Sequence, residues 1–106
     1  MYALQFIAGI GEDKNGQPLH DLERKLETIR EELATTFGGY TEQAASGGWI
    51  NGQGRLVKEP SVVWTTVTNH AKRERGLNTA RFIAAQLNQE SVLFNSFAID
   101  SEFIGA

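Results

Sequence analysis

The stretch SGGWINGQGR, residues Ser46 to Arg55, sets four glycines, a tryptophan and an arginine in ten positions. It reads either as a phosphate cradle or as the turn of a long hairpin, and the choice decides the fold. A P-loop would continue into Gly-Lys-Ser/Thr, and a dinucleotide fingerprint would open a helix after a strand; neither context is present. Asn51 and Gly52, by contrast, are the pair favoured in tight hairpin turns, where both central residues take positive φ. Trp49 and Ile50 enter the turn, and Leu56 and Val57 leave it. The hairpin reading predicts one strand near 41–50 and the next near 55–68. Pro60, with no N–H for the ladder, implies a bulge or an edge position there. The glycines leave backbone N–H groups accessible beside Arg55, so contact with an anionic ligand stays open as a second use of the turn.

Working outward, Tyr2, Leu4, Phe6 and Ala8 alternate with Ala3, Gln5, Ile7 and Gly9, the period of a strand over residues 2–8. The cluster GEDKNGQP then predicts a turn whose Pro18 suits the first position of a helix. That helix has the strongest periodicity in the chain. Leu19, Leu22, Leu26, Ile29, Leu33 and Phe37 form one apolar stripe opposite a charged, solvated face, and Gly38 and Gly39 close it. A second helix is expected over 72–89 with Leu77, Ala80, Ile83, Ala84 and Leu87 packed, although Gly76 weakens it by roughly 1 kcal/mol relative to alanine. SVLFNSFAIDSEFI is the fourth strand, with Leu93, Phe97, Ile99 and Phe103 sharing a face.

The order βαββαβ predicts an α+β, ferredoxin-like domain: a four-stranded antiparallel sheet with two helices on one face. At 106 residues there is room for one such domain and one core. Val62 and Trp64 alternate with Val63 and Val67, so both faces of the sheet carry large apolar side chains. A lone copy would leave too much of that exposed, and a homodimer or higher oligomer is expected.

The net charge of −3 excludes general binding to nucleic acid or anionic membranes, which depends on Lys and Arg meeting phosphates. Residues 53–75 nevertheless carry +3, leaving −6 on the rest of the chain. No apolar run approaches a membrane span, no cysteine is present, and no basic segment precedes the first apolar run, so a cytoplasmic location is expected.

The two histidines, His20 at a helix start and His70 in the loop NHAKRERG, lack metal-ligand spacing, and no nucleophile elbow exists; neither a metal, a cofactor nor a catalytic residue is assigned. Arg73 and Arg75 beside His70 put cations at a helix N-terminus, where they are slightly unfavourable unless a phosphate or nucleotide binds. Trp49, Trp64 and Tyr40 are aromatics able to stack on a base. Topology is shared with RNA-recognition modules, and Tyr2, Phe6 and Trp64 stand on the relevant strands, but the RNP pattern is absent.

FGGYT (Phe37 to Thr41), GGW (Gly47 to Trp49), NGQGRLVKE (Asn51 to Glu59) and QESV (Gln89 to Val92) resemble a set of small bacterial and phage proteins of unknown function, the DUF3574-like group and, more broadly, the ferredoxin-like dimeric α+β barrels. The resemblance runs from Phe37 onward and rests on structural glycines and aromatics. It implies a fold shared by cofactor-free monooxygenases, isomerases and plain ligand binders. The expectation is an oligomeric binder of a small, anionic, nucleotide-like molecule through Trp49, Arg55, Trp64, His70, Arg73 and Arg75. A dimeric-barrel enzyme and a protein-interaction module are the alternatives.

Overall fold

The computed structural model describes residues 1–105. In chain order the elements are β1 (Tyr2–Gly9), α1 (Leu22–Phe37), β2 (Thr41–Ile50), β3 (Leu56–Thr68), α2 (His70–Gln86) and β4 (Leu93–Ala98). The strands form one antiparallel sheet in the order β2-β3-β1-β4, the ferredoxin-like βαββαβ arrangement.

Strand parity divides the sheet. Leu4, Phe6 and Ala8 of β1 and Val62 and Trp64 of β3 face the helices and are buried with Leu26, Ile29, Leu33 and Phe37 of α1 and Ile83 and Leu87. The register then puts Ala3, Ile7, Val63, Val67, Leu93 and Phe97 on the opposite face, which no helix covers. Leu93 and Phe97 are about half exposed there. α1 is tied to the sheet by Arg30, whose guanidinium bonds Glu42 through both Nε (2.8 Å) and Nη2 (2.9 Å) and reaches Glu23 and Glu27. Glu42 also accepts the buried indole N–H of Trp64 at 2.7 Å. These bonds hold the Glu42 carboxyl below its ordinary range, Arg30 contributing most, and raise the guanidinium's affinity for its proton.

Several boundaries differ from the sequence expectation. α1 begins at Leu22, because Pro18 is used in a bridge to Glu12 and Asp13 Oδ1 accepts the N–H groups of Asn15 and Gln17 to close the preceding turn. α2 begins at His70, since the Asn69 side chain accepts the Lys72 N–H, and it ends at Gln86. Its buried face is Gly76, Thr79 and Ile83; Leu77 points outward at 42% exposure. Gly76 is required by close approach, as a Cβ there would stand 2.7 Å from Phe94 and 3.0 Å from Leu4. β4 stops at Ala98 and sends Phe94, not Leu93 and Phe97, toward the core, its ring 5.3 Å from that of Phe6.

The hairpin holds, with a different turn. Neither Asn51 nor Gly52 has positive φ; Gly54 does, at 74°. Gly54 N–H donates to Asn51 O, Asn51 N–H donates to Arg55 O, and the Asn51 side chain accepts from Gln53 and Arg55. This is the three-residue loop in which a type I turn ends in a left-handed residue. The β2–β3 register runs unbroken through Pro60. Pro60 O accepts from Ile10, so its missing N–H also faces the β1 side, one residue past the last β1–β3 pair at Gly9 and Ser61. No β2–β3 ladder bond is lost there, and the only bond forgone is the return one to Ile10 O.

Candidate functional site

β1 ends at Gly9, but β2 and β3 continue for five more pairs, from Ser46 and Pro60 to Ile50 and Leu56. The result is a two-stranded arm projecting about 15 Å past the four-stranded part of the sheet. Where the arm leaves the sheet, the uncovered face has a concavity of about 980 Å3, within the size range of small-molecule sites.

Its floor is flat because it is made by Gly9 of β1 and Gly47 of β2. A side chain at Gly9 would collide with the Glu59 carboxylate, whose Oε2 lies 2.8 Å from where a Cβ would stand; one at Gly47 would meet Ser61 Oγ at 2.9 Å. Glu59 therefore lies across the end of β1, and among the described residues its carboxylate has neither a salt bridge nor a hydrogen bond. Trp49, two residues beyond Gly47 on the same face, is 52% exposed. The far wall is the loop between β1 and α1, pinned to the end of α2. Gln89 Nε2 donates to Gly9 O (2.9 Å) and Glu12 O (2.7 Å), and Asn88 Nδ2 donates to Asp13 Oδ2 (3.0 Å). Asp13 is held below the ordinary carboxylate range, chiefly by the Gln17 N–H. The charged lining is Glu12, Asp13, Glu59 and Glu90 against Lys14 and Lys58, a net acidic site.

The residues chosen from sequence do not converge. Trp49 borders the concavity, and Arg55 is exposed at the arm's tip. His70, Arg73 and Arg75 lie past the other end of β3, about 40 Å away along a strand of 13 residues. One ligand in one chain cannot touch both groups. There the His70 ring bonds the Tyr2 hydroxyl at 3.0 Å, and Arg73 donates to Ser96 Oγ at 2.9 Å with its guanidinium 5.7 Å over the Tyr2 ring, so these two side chains fasten α2 to β1 and β4. Arg75 is exposed. Trp64 is fully buried with its N–H committed to Glu42, and offers no face for stacking. The sequence reading missed Glu59, Gly9 and Gly47. Gly9 alone carried a signal, as a glycine within a strand pattern that marks close approach.

No group of three or more potential metal ligands occurs among the described residues, and no described helix is long and apolar enough to cross a membrane. No family model matches the chain, and no curated protein matches it. Solved structures do. A phage SAM lyase in complex with S-methyl-5'-thioadenosine is 14% identical at a TM-score of 0.65, over 98% of this chain and 92% of that one. The periplasmic divalent cation tolerance protein CutA from Archaeoglobus fulgidus is 10% identical at 0.67, over 97% and 88%. CutA from Xylella fastidiosa is 11% identical at 0.67, over 96% and 86%. At these identities the likeness establishes the fold: the chain is an α+β protein of ferredoxin-like architecture.

Proposed function

We propose that this chain is a homo-oligomeric binding protein for a small nucleoside-type molecule, held in the concavity at the root of the arm. The observation that carries the reading is the exposed Trp49 indole beside an unpartnered Glu59 carboxylate on a glycine floor. An aromatic face takes a base by stacking, worth about 1–3 kcal/mol. A free carboxylate takes a cation or a hydroxyl, and it repels phosphate. The anionic ligand expected from Arg55, Arg73 and Arg75 is therefore replaced by one that is neutral or positive at this end. S-adenosylmethionine, with a purine, a ribose and a sulfonium, has that composition, and the likeness to a phage SAM lyase supports it. A phage-encoded protein that sequesters such a host metabolite fits this reading.

The same carboxylate favours a second reading, turnover. Release of S-methyl-5'-thioadenosine from S-adenosylmethionine breaks the bond between sulfur and the amino-acid side chain, with the electron pair going to sulfur. A carboxylate beside the sulfonium is placed to act as the base that takes a proton from the carbon next to the one leaving sulfur, the C–H electrons forming a carbon–carbon double bond as the carbon–sulfur bond breaks and the thioadenosine departs neutral.

Calorimetric titration with S-adenosylmethionine and with S-methyl-5'-thioadenosine tests both. Saturable binding of both is expected, weakened about ten- to hundredfold in Trp49→Ala. Glu59→Gln is expected to weaken the cationic ligand about ten- to hundredfold and the neutral one little. Absence of binding at millimolar ligand overturns the binder, and appearance of thioadenosine in a chromatographic assay selects the enzyme.

A further inference from the structure

The accessible surface of the chain is 6993 Å2, whereas a folded monomer of its mass exposes about 5,900 Å2. Its radius of gyration is 14.7 Å against about 13 Å for a compact chain of this length. The excess of roughly 1,100 Å2 exceeds the ~800 Å2 that one partner contributes to an interface of standard size.

Two features concentrate that excess. The first is the outer edge of β2. It is ten residues long, TEQAASGGWI, with no proline or lysine to discourage pairing and no bulge in its register. Gly47 and Gly48 leave a gap in its side-chain rows, flanked by Trp49 at 52% and Ile50 at 63% exposure. The second is the segment after β4, residues 99–105. It has no regular structure, and its Phe103 and Ile104 are 98% and 81% exposed. An aromatic on a neighbouring strand is the natural filler of a glycine gap in a sheet.

These two features cannot meet within one chain. Ala98 pairs with Tyr2 on the sheet edge opposite β2, at the end away from the arm. From there to Gly47 and Gly48 is about 30 Å along the strands and about 14 Å across them. Five extended residues from Ala98 to Phe103 reach about 17 Å.

We infer that residues 99–105 of one copy add as a strand to the β2 edge of a second copy, Phe103 covering the Gly47–Gly48 gap next to the ligand concavity. The inference rests on the homo-oligomer of the preceding section and specifies its contact. The two surfaces are different, so the contact is heterologous, with a ring as its closed form and a filament as its open one, where pairing β2 with β2 would make a two-fold dimer and leave Phe103 and Ile104 bare.

The chain has no cysteine, which permits a direct test. Ser46→Cys and Glu102→Cys proteins, both keeping Phe103, are purified separately, mixed and treated with a short bis-maleimide crosslinker. A mixed product between the two variants is expected, and in native mass spectrometry Phe103→Asp/Ile104→Asp should fall from the oligomer to the single-chain mass of 11.7 kDa. Neither side chain packs in the core, so that variant keeps its fold. An assembly that survives the double substitution, or crosslinks only between Ser46→Cys copies, overturns the docking while leaving the oligomer intact. A monomeric unmodified protein overturns both.

Discussion

Trp64 and Trp49 stand on paired strands and meet opposite surroundings: one is fully enclosed with its N–H bonded to Glu42, the other half exposed beside Glu59. Two facts separate them. Trp64 has the parity that faces the helices, and it lies where β1 is present beside β3; Trp49 has the other parity and lies beyond Gly9, where the sheet has narrowed to two strands. The difference teaches that a tryptophan's role here follows from which strand ends where, information that a local sequence window does not hold.

The sharpest way to break this comparison is to remove each ring. Trp64→Ala should destabilise the fold by about 3–5 kcal/mol in urea unfolding. Trp49→Ala should leave single-chain stability within about 0.5 kcal/mol while weakening ligand binding about ten- to hundredfold in calorimetric titration. Equal losses from the two would contradict the assignment of one to the core and one to the site.

A smaller effect is expected at Gly76. Gly76→Ala gains about 1 kcal/mol of helix propensity, but its methyl would press on Phe94 and Leu4. A net loss of about 1–2 kcal/mol is expected, relieved by Phe94→Leu. A net gain would show that α2 can rise off the sheet.

Next comes Glu42, which binds α1 to the Trp64 side of the sheet. Its folded carboxyl titrates below the unfolded value, so its stabilisation is fully present above the ordinary carboxylate range and is lost as pH falls through the lowered folded value. Glu42→Gln should cost about 1–3 kcal/mol at pH 7, with the gap to the unmodified protein closing in acid. A gap independent of pH would mean that packing, not charge, is lost. The most local change is at the arm's tip: Gly54→Ala, forced to φ 74°, should cost about 1–2 kcal/mol of hairpin stability, read by hydrogen exchange of the arm and not by global unfolding.

Much of the fold was legible in the sequence because its signals are local. The α1 stripe, the β1 alternation and the turn after Ile50 each depend on neighbours along the chain. Gly76 and Leu77 were misassigned because the phase of α2 is set by Phe94, a contact from a distant strand. The site was less legible for the same reason. Arg55 and Arg73 are close in sequence in a basic run, yet a 13-residue strand that continues through Pro60 carries them apart. Glu59 looked like one acid among cations, and acquires a role only when Gly9, fifty positions earlier, makes room for its carboxylate.

That junction of Gly9 and Glu59 holds the central claim. The most direct measurement is calorimetric titration of S-adenosylmethionine into the unmodified protein and into Gly9→Ala, with folding of both checked by circular dichroism. Binding to the first is expected, with a loss of at least tenfold in the second, because the new methyl displaces the carboxylate from the floor of the concavity. Undiminished binding to Gly9→Ala would contradict that claim and place the ligand elsewhere on the sheet.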